Sequence, residues 1–434
     1  MGANMSDDKD RPDDDPRNNM FGMFFGGGQG PFNMDPSQLG SMMSSFQSMM
    51  SPPDPEEAAL RTAESAVPQP DPTVTNETSQ ATADAFRLAE LWLSKVTDAS
   101  SGAAGVQALS RRGWVKETIG GWLSLASPIQ ERTASGLTES ITEQIPEEMR
   151  GFLSSAQPML ASMTTSMFAS QLGQAAAALS GSVLTGTEYG LPLASSQRPS
   201  MVSANITGFA AEIDVDVTEL RIYLAALELA HYALFARAPW LRKHIEEAVR
   251  AYAATVEVNG GALGGITPDM DPQKMQEAAE QMQKDLFKPA DTAERRAAEQ
   301  NLQRLLSTVA GWTDVVAYAA VEPLEKRDQI REALRERYST QSEAEAEFAS
   351  LIGLNIHPTR MNDAVQLFTF LEQTEGAEAR DAVFSQVESL PSAVDLDDPL
   401  GYLERRSPEA ADADIENMDE ALQRLLDEES GKDD

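Results

Sequence analysis

Residues 220–235 read LRIYLAALELAHYALF, and Ala-Arg-Ala-Pro-Trp-Leu-Arg follows. The stretch reads as a single helix, and the rest of the chain is organised around it. Within it lies Leu227-Glu228-Leu229-Ala230-His231. This is the frame of the zinc-binding H-E-x-x-H motif with leucine in place of the first histidine. That motif works because residues four apart share one helix face, so two imidazoles can hold one ion. The intervening Glu then acts as general base on metal-bound water. Here Glu228 and His231 remain, and Leu227 has no lone pair to donate.

Composition narrows the chemistry. The 434 residues carry a net charge of −35, with no cysteine and three histidines. A chain this acidic repels nucleic-acid phosphate, and no basic patch in the sequence offsets this, so no nucleic-acid partner is expected. Disulfides, Cys-ligated zinc and thiol catalysis are excluded. An all-histidine metal site would need His231, His244 and His357 together. The Asp-rich beginning does not read as a secretory signal, which predicts a cytoplasmic protein. The Asn-x-Thr triplets at Asn76 and Asn205 are then chance matches.

Residues 1–56 are low in complexity, rich in Asp, Gly, Met and Ser, and are expected to be a disordered tail. Clusters such as Met20, Phe21, Met23, Phe24 and Phe25 offer an alternative, a short docking motif for a protein or peptide partner. Residues 57–405 carry helical periodicity and are expected to form a mainly α domain. Helices are predicted over Glu56–Val67, Thr82–Val96, Trp114–Leu125, Trp240–Val256, Pro272–Leu286, Thr292–Ala320, Glu325–Tyr338, Gln341–Ile352 and Pro358–Thr374, with another from Ala377 and a helical stretch within 126–149 between its Ser-Pro and Ile-Pro pairs. The few strand signals fall at Ala211–Val217 and Ala254–Val258. Residues 406–434 are expected to be an acidic tail with at most one helix around Leu422, Leu425 and Leu426.

Between Arg150 and Glu188 there is no charged residue. The run is too rich in Ser, Thr and Gln for a membrane span, so none is expected. Small residues recur every fourth position at Ala161, Thr165, Ala169, Gly173, Ala177 and Gly181. Gly151–Leu184 therefore reads as a core helix against which another helix packs closely. Gly190 and Pro192 mark a loop after it.

Four passages resemble the zincin-like metallopeptidase family common in actinobacteria, whose members are described as zinc-dependent metalloproteases or hydrolases. They are Met167–Gln174, Thr185–Leu193, Leu227–Phe235 with Pro239–Arg242, and Ala310–Val316. The resemblance runs from about Gly113 to Tyr402 and implies a helical zincin-like domain with zinc as the family's metal. By it, Glu228 corresponds to the general base and His231 to a metal ligand. It also implies two departures. Leu227 replaces the first ligand, as in a branch lacking that histidine, and Ala310 stands where competent members carry a third-ligand Glu. Asp314, one turn further on, is the best surrogate ligand the sequence offers.

One imidazole does not hold zinc, because catalytic sites use about three protein ligands. The preferred expectation is a degenerate site without zinc, with Glu228 and His231 hydrogen-bonded to each other in a buried polar cluster near Asp314. The protein would then be a non-catalytic pseudoenzyme with a binding or scaffold role. The alternative is a divergent zinc hydrolase using His231, Glu228 and Asp314. A di-iron reading fails, because Leu241 and Leu354 stand three residues before the other two histidines. His244 reads as an exposed or helix-end residue, and His357 as a surface residue. No phosphate loop or Gly-x-Ser-x-Gly elbow is present.

Overall fold

A computed structural model describes residues 54–144, 147–256 and 292–406. All of these fall in one unit, which begins at Pro53. The expected disordered ends, the N-terminal docking motif, the Pro272–Leu286 helix and the helix around Leu422 lie outside the described residues.

The architecture is mainly α. The helix that contains Leu227-Glu228-Leu229-Ala230-His231 spans Val217–Arg237 and is buried without interruption from Tyr223 to Leu234. Asp216 caps its start, accepting from the Thr218 N–H at 2.7 Å, which satisfies one of the free donors of the first turn. Pro239 separates it from the next helix, Trp240–Ala254. In chain order, the elements are α1 (Pro55–Ala66), α2 (Asn76–Leu93), β1 (Gln107–Leu109), α3 (Arg111–Gln144), α4 (Glu147–Ser180) and β2 (Ser200–Val202). These are followed by α5 (Ser203–Glu212), α6 (Val217–Arg237), α7 (Trp240–Ala254), α8 (Ala293–Ala320), α9 (Arg327–Ser339), α10 (Glu343–Ile352) and α11 (Met361–Glu375). Short helices at Ala377–Ala382, Ala393–Asp397 and Tyr402–Arg405 complete the described part.

The uncharged run forms α4. No described helix is long and apolar enough to cross a membrane. The small-residue stripe does the work the sequence suggests, since α1 packs along it. A Cβ placed on Gly173 would overlap the backbone carbonyl of Ala59, so only glycine lets the two helices approach this closely. Helices α3, α7 and α8 join α6 and α4 around one apolar core, which contains Trp114, Trp122 and Trp312.

The structure corrects several boundaries. The helix expected to Leu125 and the helical stretch expected beyond the Ser-Pro pair are one helix, since α3 continues through Pro128. Proline removes a backbone donor, and the Ser124 carbonyl that would have accepted it takes the Ser127 hydroxyl at 3.0 Å instead. Helix α2 begins six residues before the predicted Thr82 because Thr75 caps it, accepting from the Thr78 N–H at 3.1 Å. Neither predicted strand forms. The alternation across Ala211–Val217 comes from the end of α5, Asp214 at φ 53°, and the Asp216 cap. Ala254 closes α7, Thr255 and Val256 continue in a turn, and residues 257 and 258 lie outside the described part. The strands that do form are three residues each, too short to carry a period. They pair in parallel, with Gln107 opposite Ser200 and Leu109 opposite Val202. On its other edge β2 meets the loop after α4: the Gly186 N–H donates to the Ser200 carbonyl at 3.0 Å, and the Val202 N–H donates to the Leu184 carbonyl at 2.9 Å. This small sheet lays the loop and Ser200 over the middle of α6.

Candidate functional site

Glu228 projects from α6 beneath that sheet and is fully buried. The Thr187 N–H, at 3.0 Å, and the Thr187 hydroxyl both donate to its Oε2. The Ser200 N–H donates to Oε1 at 3.0 Å. Both carboxylate oxygens are thus committed, and no cation pairs with them among the described residues. Removal from water disfavours the charge and pushes the carboxyl up to about 7, while the bonds from Thr187 and Ser200 pull it back. The fit depends on Gly186: a Cβ there would overlap the Ser200 hydroxyl and stand 2.9 Å from Glu228 Oε1.

His231 lies one turn along the same helix, 4% exposed. Its Nδ1 sits 3.0 Å from the Leu227 carbonyl, and its Nε2 is 3.4 Å from the Thr313 hydroxyl of α8. Burial lowers its pKa to about 4, so the imidazole is neutral at pH 7. The expected Glu228–His231 hydrogen bond does not form. Glu228 turns to the β2 sheet and His231 turns to α8, so the two polar groups of the motif serve different neighbours.

Asp314 stands next to Thr313 on α8 and is buried. Its carboxylate faces α9, where Arg331 reaches Oδ2 at 2.6 Å and Arg335 reaches it at 2.9 Å. The residue of α8 that meets the imidazole is Thr313, whose hydroxyl also bonds the Val309 and Ala310 carbonyls at 3.0 Å. Ala310 lies one turn earlier and is half-buried. Leu227 is 7% exposed and packs with the core.

The other histidines are elsewhere. His244 is half-buried on α7, edge-on to Trp240. His357 was expected at the surface and is instead buried, with Nδ1 3.4 Å from Glu345 Oε1. Its position before Pro358 suggests an exposed loop, but the loop folds back onto α10. Among the described residues no three of His, Cys, Asp and Glu are grouped as a metal would require.

Zinc needs about three donors on one side of the ion plus an open position. The donor set around His231 does not fit this. It consists of one imidazole, a threonine hydroxyl already donating to carbonyls, and a carboxylate that is bonded away from it. The partners Thr187, Ser200 and Thr313 were not singled out in the sequence. Thr187 and Thr313 lie inside two of the four passages that carry the family resemblance, which was the available signal. Nothing local marked Ser200. Arg331 and Arg335 stand four apart on one helix, a spacing that lets two guanidiniums converge on one acid.

The zincin-like metallopeptidase family profile matches residues 56–403, and the chain belongs to that family. No curated protein matches the chain. Its fold resembles the crystal structure of a "putative hydrolase with a novel fold" from Chloroflexus aurantiacus, at a TM-score of 0.53 and 18% identity, covering 81% of this chain and 98% of that one.

Proposed function

We propose that this chain is a zincin-like family member, of the branch lacking the first motif histidine, whose zinc site has become structural and which acts as a non-catalytic binding or scaffold protein. The observation that carries this reading is the commitment of Glu228. A general base must reach a water that also touches substrate. Glu228 is fully buried and holds three donors from Thr187 and Ser200. In this reading its role is to fasten the loop after α4, and with it β2, to α6. Leu227 and Ala310 withhold two ligands, and Asp314 gives its charge to Arg331 and Arg335.

One observation favours the alternative, a divergent zinc-dependent hydrolase. His231 is held neutral, the form that binds metal, and Glu228 is raised to about 7, where a base is useful. The two readings are separated by zinc stoichiometry and zinc-induced thermal shift. The measurement covers wild type, Leu227→His, Ala310→Glu and the double variant, each purified without chelator or nickel. The expected result is substoichiometric zinc in wild type and both single variants, with about one zinc in the double variant, which regains two imidazoles and a carboxylate. Stoichiometric zinc in wild type would overturn the structural reading and support the hydrolase. A folded double variant that takes no zinc would show that α6 and α8 no longer keep the ancestral geometry.

A further inference from the structure

A cleft of about 450 Å³ opens on the N-terminal half of α8, between that helix, the turn from Asn355 to Arg360 before α11, and the short helix Ala393–Asp397. Its volume lies in the range of small-molecule sites. It is separate from the Glu228 site, since Arg304 and Thr313 are nine residues apart, about 13 Å along the helix axis.

Three guanidiniums line the cleft, from Arg296, Arg304 and Arg360, beside the acids Glu299 and Asp397. Both acids have a cationic neighbour. Asp397 pairs with Arg360 at 2.6 Å, and Glu299 pairs at 4.0 Å with Arg295, which lies outside the lining. Arg360 also holds Asp363 at 2.9 Å.

Arg304 differs from these. Its hydrogen bonds run to neutral acceptors, the Pro391 carbonyl at 2.6 Å and the Asn301 side-chain oxygen at 2.8 Å. It is half-buried, and burial lowers its pKa. The chain has 69 acidic residues against 34 basic ones, so carboxylates are in excess. Arg331, Arg335, Arg337, Arg380 and Arg405 each contact one. Arg304 makes no ion pair among the described residues and lines an open cleft. The nearest counter-charge, Asp395, makes no direct contact with Arg304 and is itself paired with Arg405 at 2.8 Å, so it offsets the burial only in part, and an anion entering the cleft would offset the rest.

We propose that this cleft binds a small molecule through a compact dianionic group, a phosphate or a dicarboxylate, with Arg304 as the anchoring residue. The guanidinium fork matches two oxygens of either group. Gln300 and Asn355 at the lining add neutral polar groups that do not repel an anion.

The test is calorimetric titration of the full-length protein at low ionic strength, with inorganic phosphate in one arm and succinate in the other. The expected result is saturable one-site binding in at least one arm, and the stronger arm identifies the group. Arg304→Gln should weaken it about tenfold or more, the loss of a charge-assisted contact. Gln300→Glu serves as a second variant because Gln300 is exposed and makes no hydrogen bond among the described residues. It places a like charge at the site and should weaken binding roughly fivefold. Absence of saturable binding to either anion in wild type, or binding unchanged in folded Arg304→Gln and Gln300→Glu, would overturn the proposal.

Discussion

Two buried carboxylates on adjoining helices are satisfied in opposite ways. Glu228 on α6 accepts from two backbone N–H groups and a hydroxyl, with no cation at hand, and its pKa rises to about 7. Asp314 on α8 is clamped by two guanidiniums from α9. Burial would lower the Arg331 pKa, yet Asp314 more than reverses this and the guanidinium is held above its ordinary range. The first arrangement is a neutral-donor socket tuned by desolvation, and the second is an ion triad. A metal centre needs ligands whose lone pairs are free to converge on one point. Here each carboxylate is spent on its own neighbours, and His231 between them meets a threonine.

The largest effect should come from breaking the triad. Asp314→Ala leaves Arg331 and Arg335 facing each other without their acid, at a cost of about 3–4 kcal/mol in chemical denaturation. A loss below about 1 kcal/mol would mean that the guanidiniums swing to water and that the clamp contributes little.

Next comes the pH dependence of the socket. Glu228 is raised from 4.5 to about 7, so its contribution to stability is present below pH 4.5 and is lost as pH rises toward 7. His231 is lowered from 6.5 to about 4, so its contribution is present above pH 6.5 and is lost as pH falls toward 4. Each amounts to roughly 3 kcal/mol over its window, and the two oppose each other between the ordinary values of the two groups. Relative to wild type, Glu228→Gln should therefore gain stability as pH rises through this range, and His231→Gln should lose it. Parallel profiles for all three proteins would show that neither group is held as described.

A smaller effect is expected from closing the space the socket needs. Gly186→Ala would push a methyl group against the Ser200 hydroxyl and Glu228 Oε1, costing about 2 kcal/mol by overpacking. An unchanged melting temperature would show that the loop can shift away freely. Thr187→Val should cost least, about 1.5 kcal/mol, because the Thr187 N–H still donates after the hydroxyl is gone. A cost as large as that of Asp314→Ala would mean that the socket, and not the triad, carries more of the stability.

Much of the helical body was legible because periodicity is local. The small-residue face of α4 is written in residues four positions apart, and the structure keeps it as the face on which α1 packs. The sheet was not legible, since strands of three residues have no period and are made only when positions 107 and 200 meet. The corrected His357 illustrates the same limit, because a histidine before proline looks exposed until α10 closes over it.

At the site, the sequence by itself showed an H-E-x-x-H frame with Leu227 in its first position beside Glu228 and His231, because residue identity is read directly. It could not determine what the remaining groups do. That Glu228 would fasten the loop after α4, that His231 would meet Thr313, and that Asp314 would turn to Arg331 and Arg335 depends on which donors lie nearest once the core has closed. Hydrogen bonds and ion pairs reach only about 3 Å, so their partners are chosen by packing between elements far apart in the chain: Thr187 and Glu228 are 41 residues apart, and His231 and Thr313 are 82 apart.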